Sequence, residues 1–163
     1  MTVEASISVD ELLARIESGQ RLIGLDLGSK TIGLALSDPN LSVASPLRTL
    51  KRMKFGQDAA EILELCRQEN VGAIVLGLPV NMNGTEGPRA QATRAFARNL
   101  QELTDLPILF WDERLSTAAV ERAMIAADLS RAKRAARIDA AAAGFILQGV
   151  LDRLARLRRD AKS

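Results

Sequence analysis

An α/β fold, in which an antiparallel hairpin is joined to parallel strands, is the class this sequence predicts, and three observations predict it. Residues 22–37 read as a strand, a Gly28-Ser29-Lys30 turn and a second strand. Ala73-Ile74-Val75-Leu76-Gly77-Leu78 is a continuous apolar run, the pattern of a strand buried on both faces of a mostly parallel sheet. Helical stretches over residues 58–69 and 89–102 alternate with these strands.

Taken in order, Val9, Leu12, Leu13 and Ile16 fall at helical spacing behind Ser8, a residue suited to an N-cap, so a helix within about residues 8–18 covers the sheet ahead of the first strand. Asp38-Pro39-Asn40 is a turn signal, and a third strand follows over 43–50, which Pro46 confines to an edge. Ala59, Ile62, Leu63, Leu65 and Cys66 form the apolar stripe of the 58–69 helix. The buried strand 73–78 stops at Pro79, and the turn-rich loop 80–88 lies at its carboxyl end, where ligands bind in open α/β sheets. A short strand over 107–111 runs into Asp112-Glu113-Arg114. Ser116 then caps a helix over 117–127, with Leu115 and Val120 spaced as a hydrophobic staple. Residues 130–137 are basic and lack an apolar stripe, which predicts an irregular, mobile segment before a last helix over 138–158.

The 163 residues suit a single domain. No apolar run approaches the roughly 20 residues of a membrane span, and the first twenty residues lack the apolar core of a secretory signal. The single Cys66, in a helical pattern, is expected in the core and suits a reducing cytoplasm. The chain has no histidine and no tyrosine, which excludes histidine general bases and Ser-His-Asp or Cys-His systems and removes the usual zinc sites. Carboxylates, lysine and hydroxyls remain, and they point to hard oxygen-binding cations such as Mg²⁺ or Mn²⁺. The formal charge is only +2, but its distribution is uneven. Arg131, Lys133, Arg134 and Arg137 cluster in one segment, and Arg153, Arg156, Arg158 and Arg159 near the C-terminus. Such clusters are either solvated helix faces or surfaces that contact phosphate.

Three acids stand out. Asp26 interrupts the apolar strand Leu22-Ile23-Gly24-Leu25-Asp26-Leu27, and a buried carboxylate needs hydrogen-bond partners or a cation. Alternation puts Ile23, Leu25 and Leu27 on one face and Gly24 and Asp26 on the other. The second strand likewise separates Ile32, Leu34 and Leu36 from Gly33 and Ala35. The Asp26 face is therefore smooth, and a helix should lie tightly over Gly24, Gly33 and Ala35. Asp139, Ala143, Ile146 and Val150 share one face of the last helix, within an alanine-rich surface that complements that strand face. Packed together, they bring Asp139 near Asp26. The third acid comes from the end of the last strand, where Glu113 or Asp112 could complete the set. Three acids from a first strand, a later strand and a C-terminal helix form what a two-metal phosphodiester-cleaving site needs. The alternatives are that Asp26 stabilises its turn through Ser29 or Thr31, and that Asp139 is a helix-capping or first-turn acid.

Asp26-Leu27-Gly28 with Ile32-Gly33-Leu34-Ala35 and Ser37-Asp38, Gly77-Leu78-Pro79 with Gly84, Asp112-Glu113-Arg114-Leu115-Ser116-Thr117, and Asp139-Ala140-Ala141-Ala142-Ala143 with Ile146-Leu147 resemble the motifs of the YqgF-type pre-16S ribosomal RNA nucleases. These are also described as Holliday-junction-resolvase-like proteins. The resemblance covers about residues 21–151. It implies a ribonuclease H-like fold with a five-stranded mixed sheet flanked by helices on both faces, and a cytoplasmic nuclease acting in 5′-end maturation of 16S rRNA. It further implies that Asp26, Glu113 and Asp139 are the catalytic metal ligands for a two-metal Mg²⁺ or Mn²⁺ site. Thr31 follows Lys30 where many members carry arginine. Lys30, Asn81, Asn83 and Arg114, at the turns of one sheet edge, join Arg131, Lys133, Arg134 and Arg137 as expected nucleic-acid contacts, which position a backbone without reading bases.

The expected partner is pre-16S rRNA or a small-subunit precursor particle, with branched DNA as the alternative substrate and no membrane. Monomer and homodimer are both compatible with the sequence. A binding factor that keeps the fold without cutting is a further alternative. An actin-like ATPase, suggested by Ser29-Lys30-Thr31 as a phosphate-gripping loop, would need two such domains.

Overall fold

The structure, a computed structural model, describes residues 6–116, 127 and 131–162, and of residues 131–139 the backbone alone. Its elements in chain order are α1 (Val9–Arg15), β1 (Arg21–Leu27), β2 (Thr31–Ser37), β3 (Ala44–Lys51), α2 (Phe55–Gln68), β4 (Val71–Leu78), α3 (Pro88–Gln101), β5 (Ile108–Asp112), a 3-10 turn (Glu113–Leu115) and α4 (Arg131–Ala161). The helix expected over 117–127 falls almost wholly outside the described residues. No described helix is long and apolar enough to cross a membrane.

The strands form one five-stranded sheet in the order β3-β2-β1-β4-β5. β1 pairs antiparallel with β2 and parallel with β4, β2 antiparallel with β3, and β4 parallel with β5. This is the mixed sheet, with an antiparallel hairpin and parallel strands, that the sequence predicts. β3 is the edge strand expected from Pro46. The β2–β3 register shifts between Leu34 and Ala35, whose partners are Arg48 and Pro46, so the half-exposed Leu47 is the extra residue of a bulge beside the proline.

The two faces of the sheet follow the alternation in the sequence. Ile23, Leu25, Ile32, Leu34, Ile74 and Leu76 pack in one core with Ile62 of α2 and Phe96 and Leu100 of α3. Leu22, Ala35, Ala73 and Val75 pack in a second core with Leu12 of α1 and Ala143, Ile146, Leu147 and Val150 of α4. β4 thus feeds both cores, as its unbroken apolar run requires. Ser8 begins α1 with a reciprocal cap: its hydroxyl accepts from the Glu11 N–H, and the Glu11 side chain accepts from the Ser8 N–H. Cys66 is buried, and burial pushes its thiol up to about 12, in keeping with a core residue.

Two boundaries differ from expectation. α2 starts at Phe55, ahead of Asp58, because Phe55 packs edge-on against Phe96, with ring centroids 5.3 Å apart. Asp58 is buried in the first turn and accepts from the Met53 N–H at 3.1 and 3.2 Å. The expectation of an irregular, mobile segment over 130–137 is also corrected: the backbone is helical from Arg131 and continuous with the last helix. Alanine, arginine and lysine are strong helix formers, and no Gly or Pro interrupts residues 131–143. A missing apolar stripe removes the reason to pack but leaves the reason to coil.

α4 lies unusually close to the sheet because both surfaces are small. A Cβ at Gly24 would stand 2.9 Å from the Leu147 Cβ and 3.1 Å from the Ala143 carbonyl oxygen, and one at Gly77 would stand 2.5 Å from the Ile146 Cδ1. On the helix side, Gly144 faces Pro46 of β3, and a Cβ at Gly149 would stand 2.7 Å from the Trp111 Nε1 of β5. The helix therefore crosses the sheet from edge to edge. Gln148 ties it to β3, accepting from the Ala44 N–H at 2.9 Å and donating to the Ser42 carbonyl at 3.1 Å.

Because Gly24 meets helix backbone, which cannot rotate aside, Gly24→Ala should destabilise the fold by about 1–3 kcal/mol, read as a lower urea midpoint at unchanged slope. A pH effect is expected from the loop after β2. Burial works to raise the pKa of Asp38, but hydrogen bonds from the Val43 N–H, the Ser42 hydroxyl and the Ser42 N–H outweigh it and hold the carboxyl at about 2 against an ordinary 3.8. A depressed folded value means stability that is complete above the unfolded value and lost as pH falls through the folded one. Urea midpoints measured between pH 5 and 2 should therefore fall more steeply below pH 4 in the wild type than in Asp38→Asn.

Candidate active site

β1 supplies Asp26 to the α4 face, one alternation beyond Gly24, and the residue is 3% exposed. Its neighbours across the sheet are both glycines. Asp26 pairs with Gly33 of β2. The β1–β4 register places Leu25 opposite Leu76 and, continued by one residue, Asp26 opposite Gly77. The carboxylate thus rises between two strand positions that carry no side chain.

Glu113 takes up the space at one of those positions. It opens the 3-10 turn after β5, and its Oε1 lies 3.1 Å from where a Gly77 Cβ would be. The absent side chain at Gly77 is what admits this carboxylate to the face, beside Asp26, with one strand spacing of about 4.8 Å between the β1 and β4 backbones. Asp112, the other candidate, is occupied differently. It caps the 3-10 turn by accepting from the Arg114 N–H at 2.9 Å, and it binds the Arg114 guanidinium at 2.7 and 3.1 Å. Those guanidinium hydrogen bonds hold its carboxyl below the ordinary range.

Asp139 stands on α4 by its backbone, and its side chain lies outside the description. The path of the helix is nevertheless informative. Gln148 meets Ala44 and Gly144 meets Pro46, and the pairing of Pro46 with Ala35 and of Thr49 with Gly33 shows that this progression climbs toward the Asp26 row. One more turn toward the helix start, about 6 Å at 1.5 Å per residue, brings the backbone of residues 139 and 140 toward that row. Among the described residues, no cluster of three acids, cysteines or histidines converges. The described donor set is two carboxylates, oxygen donors that suit a hard divalent cation.

The loop after β4 is fastened rather than loose. Asn81 donates from its side chain to the Thr85 hydroxyl at 3.1 Å, and Asn83 accepts from that hydroxyl at 2.6 Å and from the Thr85 N–H at 3.1 Å. The predicted contact residues Asn81 and Asn83 are thus exposed, but their amides brace the loop. Arg94 of α3 donates two hydrogen bonds to Glu86 at 2.6 and 2.8 Å while lying 4.9 Å over the Phe110 ring. Arg114 donates to the Met82 carbonyl at 3.3 Å. The expected nucleic-acid contact Arg114 therefore joins the loop to the end of β5. Lys30 is exposed at the hairpin tip. Arg131, Lys133, Arg134 and Arg137 lie on the first turns of α4, their side chains outside the description.

Glu113 also lines a groove of about 390 Å³ with Pro79, Val80, Asn81, Pro88 and Arg89. Two arginines that the sequence reading passes over, Arg52 and Arg89, stand at this same edge. Arg52 lies in the cationic stretch Lys51-Arg52-Met53-Lys54 and Arg89 in the first turn of α3, and only the fold brings the two together.

A family model described as "RuvX: Holliday junction resolvase" matches residues 20–153. A protein of Brucella anthropi named "Putative pre-16S rRNA nuclease" is 60% identical over 157 residues, covering 96% of this chain and 95% of its own. One of the same name from a Chelativorans species is 61% identical over 154 residues, with 94% and 96% covered. Among solved structures, Thermus thermophilus RuvC in complex with a Holliday junction substrate has a TM-score of 0.53 at 14% identity, covering 85% of this chain and 96% of that one. The yeast mitochondrial Holliday junction resolvase Ydc2 has a TM-score of 0.52 at 15% identity, with 94% and 89% covered. At such identities these two show the fold, which is the ribonuclease H-like one expected from the sequence motifs.

Arg114→Ala removes both the Asp112 ion pair and the hold on the Met82 carbonyl. Amide exchange over residues 80–87 should accelerate severalfold while the β1 and β4 amides keep their protection, as hydrogen-exchange mass spectrometry would read.

Proposed function

The chain belongs to the RuvX Holliday junction resolvase family and is a hydrolase acting on phosphodiester bonds, and from that premise we propose that it is a metal-dependent nuclease of pre-16S rRNA 5′-end maturation. The relatives' name supports the ribosomal substrate. The observation that carries the metal dependence is the carboxylate of Glu113 lying over Gly77, beside the buried Asp26. Two carboxylates on one face of the sheet, one of them buried, are oxygen donors of the kind that a hard divalent cation takes.

In this reading, one nuclease domain, extended by α1, works in the cytoplasm on the RNA or its small-subunit precursor particle. Asp26, Glu113 and Asp139 hold Mg²⁺ or Mn²⁺. Bound divalent metal would activate the attacking water and stabilise the leaving oxygen. Asp26 contributes a fixed anchor, because strands on both sides lock its backbone. Glu113 contributes an adjustable one, on a single turn that Asp112 and Arg114 brace. Lys30, Arg131, Lys133, Arg134 and Arg137 contact substrate phosphates.

The test is cleavage of a 5′-extended 16S rRNA precursor with Mg²⁺ or Mn²⁺, with a four-way DNA junction run beside it. Asp26→Asn should fold, keep its binding and lose on the order of 10³-fold in cleavage rate, equivalent to several kcal/mol of charge stabilisation. Cutting of the junction alone would move the assignment to branched DNA. Tight precursor binding with no cutting by the wild type would make the protein a binding factor.

A further inference from the structure

A second cleft opens at the carboxyl edge of the sheet, on the face opposite Asp26. Its volume is about 270 Å³, and Leu27, Ser29, Arg52, Pro88, Arg89 and Ala92 line it. Its wall comes from three separate elements: the β1–β2 turn, the segment between β3 and α2, and the first turns of α3. None of its lining residues is acidic.

Arg52 is held in place here. Its Nη1 donates to the Gly28 carbonyl at 2.7 Å, and its guanidinium carbon lies 6.0 Å over the Phe96 ring. The Lys30 carbonyl accepts from the Arg52 N–H at 2.8 Å, fixing the backbone as well. A guanidinium restrained from two sides loses little further freedom when it binds an anion. Arg89 is exposed on the opposite wall. The first turn of α3 contains no acid, and the N-cap Gly87 makes no side-chain cap, so nothing local neutralises Arg89 through the usual first-turn pairing.

The position relative to the acids gives this cleft its meaning. Pro88 and Arg89 line both this cleft and the groove that contains Glu113, so the two are separated only by the start of α3. A chain that passes the acids can cross this wall and enter the cleft. The lining is cationic on two sides, with a hydroxyl from Ser29 and apolar surface from Leu27, Pro88 and Ala92. That mixture matches one nucleotide of backbone, its phosphate toward the guanidinium groups and its sugar toward the apolar side, better than it matches a small free anion.

We propose that Arg52 and Arg89 form a subsite for a backbone phosphate of the substrate strand, flanking the phosphate at Asp26 and Glu113. This rests on the nuclease reading for its substrate class. The subsite positions the strand from the far side of the sheet edge, and it takes any base, because its contacts are to phosphate and sugar. The polar groups it uses come from residues outside the basic start of α4, so its contribution adds to that of Arg131, Lys133, Arg134 and Arg137.

The experiment measures binding of a single-stranded RNA copy of the precursor's 5′ extension to the full chain without divalent metal, across a salt titration. Each phosphate contact to a single strand contributes about 0.7 to the slope of log affinity against log salt. Arg89→Ala and Arg52→Gln should each lower the slope by about that amount. Arg52→Lys, which keeps the charge, should retain most of it even though it weakens the hold on Gly28. Arg15→Ala, a surface charge on α1, should leave the slope unchanged. Slopes of Arg89→Ala and Arg52→Gln equal to that of Arg15→Ala would overturn the subsite. So would a loss in Arg52→Lys as large as in Arg52→Gln, which would assign Arg52 to bracing the turn. Cleavage plays no part in this assay. If the wild type binds but does not cut, the nuclease reading fails and the subsite result stands, whereas no binding of this RNA overturns the subsite and leaves the nuclease reading to the cleavage assay.

Discussion

The close seating of α4 on the β1–β4 surface is the constraint on which the site depends. A helix normally keeps side chains between its backbone and a sheet. Here Gly24 lies against the Ala143 carbonyl and the Leu147 Cβ, and Gly77 lies under Ile146. Removing side chains from the interface has two effects at once. It lowers the helix until its alanine-rich start approaches the Asp26 row, and it leaves room beside Asp26 that an ordinary strand residue would fill. Gly77 serves both ends, since the space it vacates is shared by Ile146 from the helix and the Glu113 carboxylate from the turn after β5. One glycine thus couples the packing of the second core to the position of a candidate catalytic acid.

The adjacent acids of the Asp112-Glu113-Arg114 stretch divide their labour through the same geometry. A strand that continued past Asp112 would put the next side chain on the α4 face, with Leu109 and Trp111. The chain turns tightly there, capped by the Asp112 carboxylate, and Glu113 stays on that face, over Gly77. Arg114, bound to Asp112 and to the Met82 carbonyl, ties this turn to the loop after β4. The position of Glu113 is therefore set by a cap, an ion pair and a vacancy, none of which is the acid's own interaction.

What the sequence discloses and conceals follows from which signals are periodic. The two faces of β1 and β2, the double burial of β4 and the smooth patch under a helix were legible, because alternation with period two sorts side chains wherever one face is buried. The isolation of Asp26 among apolar neighbours was legible for the same reason. The start of α4 was not, since Arg131 to Arg137 is helical by propensity and carries no stripe. The early start of α2 was not either, because Lys54 offers no capping side chain and Phe55 is drawn in by Phe96, a partner about forty residues away. The choice between Asp112 and Glu113 stayed open because strand ends often bulge, whereas in β5 the alternation that turns Leu109 and Trp111 toward α4 carries through to Glu113. Arg52 and Arg89 were hidden for a topological reason: they are 37 residues apart in sequence, and only the fold sets them around one cleft.

Electrostatics across the sheet edge then acquires a direction. On the α4 face the described charges nearest the edge are the acids Asp26 and Glu113. On the other face they are the cations Arg52 and Arg89, with no acid lining the cleft between them. Taken alone the acids disfavour a polyanion and the arginines favour it, while α4 begins with the cations Arg131, Lys133, Arg134 and Arg137. Among the described side chains, Arg114 is bound to Asp112 and Arg94 to Glu86. Under the nuclease reading, the two arginines hold a strand at this edge without metal, and a divalent cation held by the acids adds to what the cationic start of α4 offers on the other side. The start of α3 is the boundary between the acid-bearing groove and the arginine-lined cleft, since Pro88 and Arg89 line both.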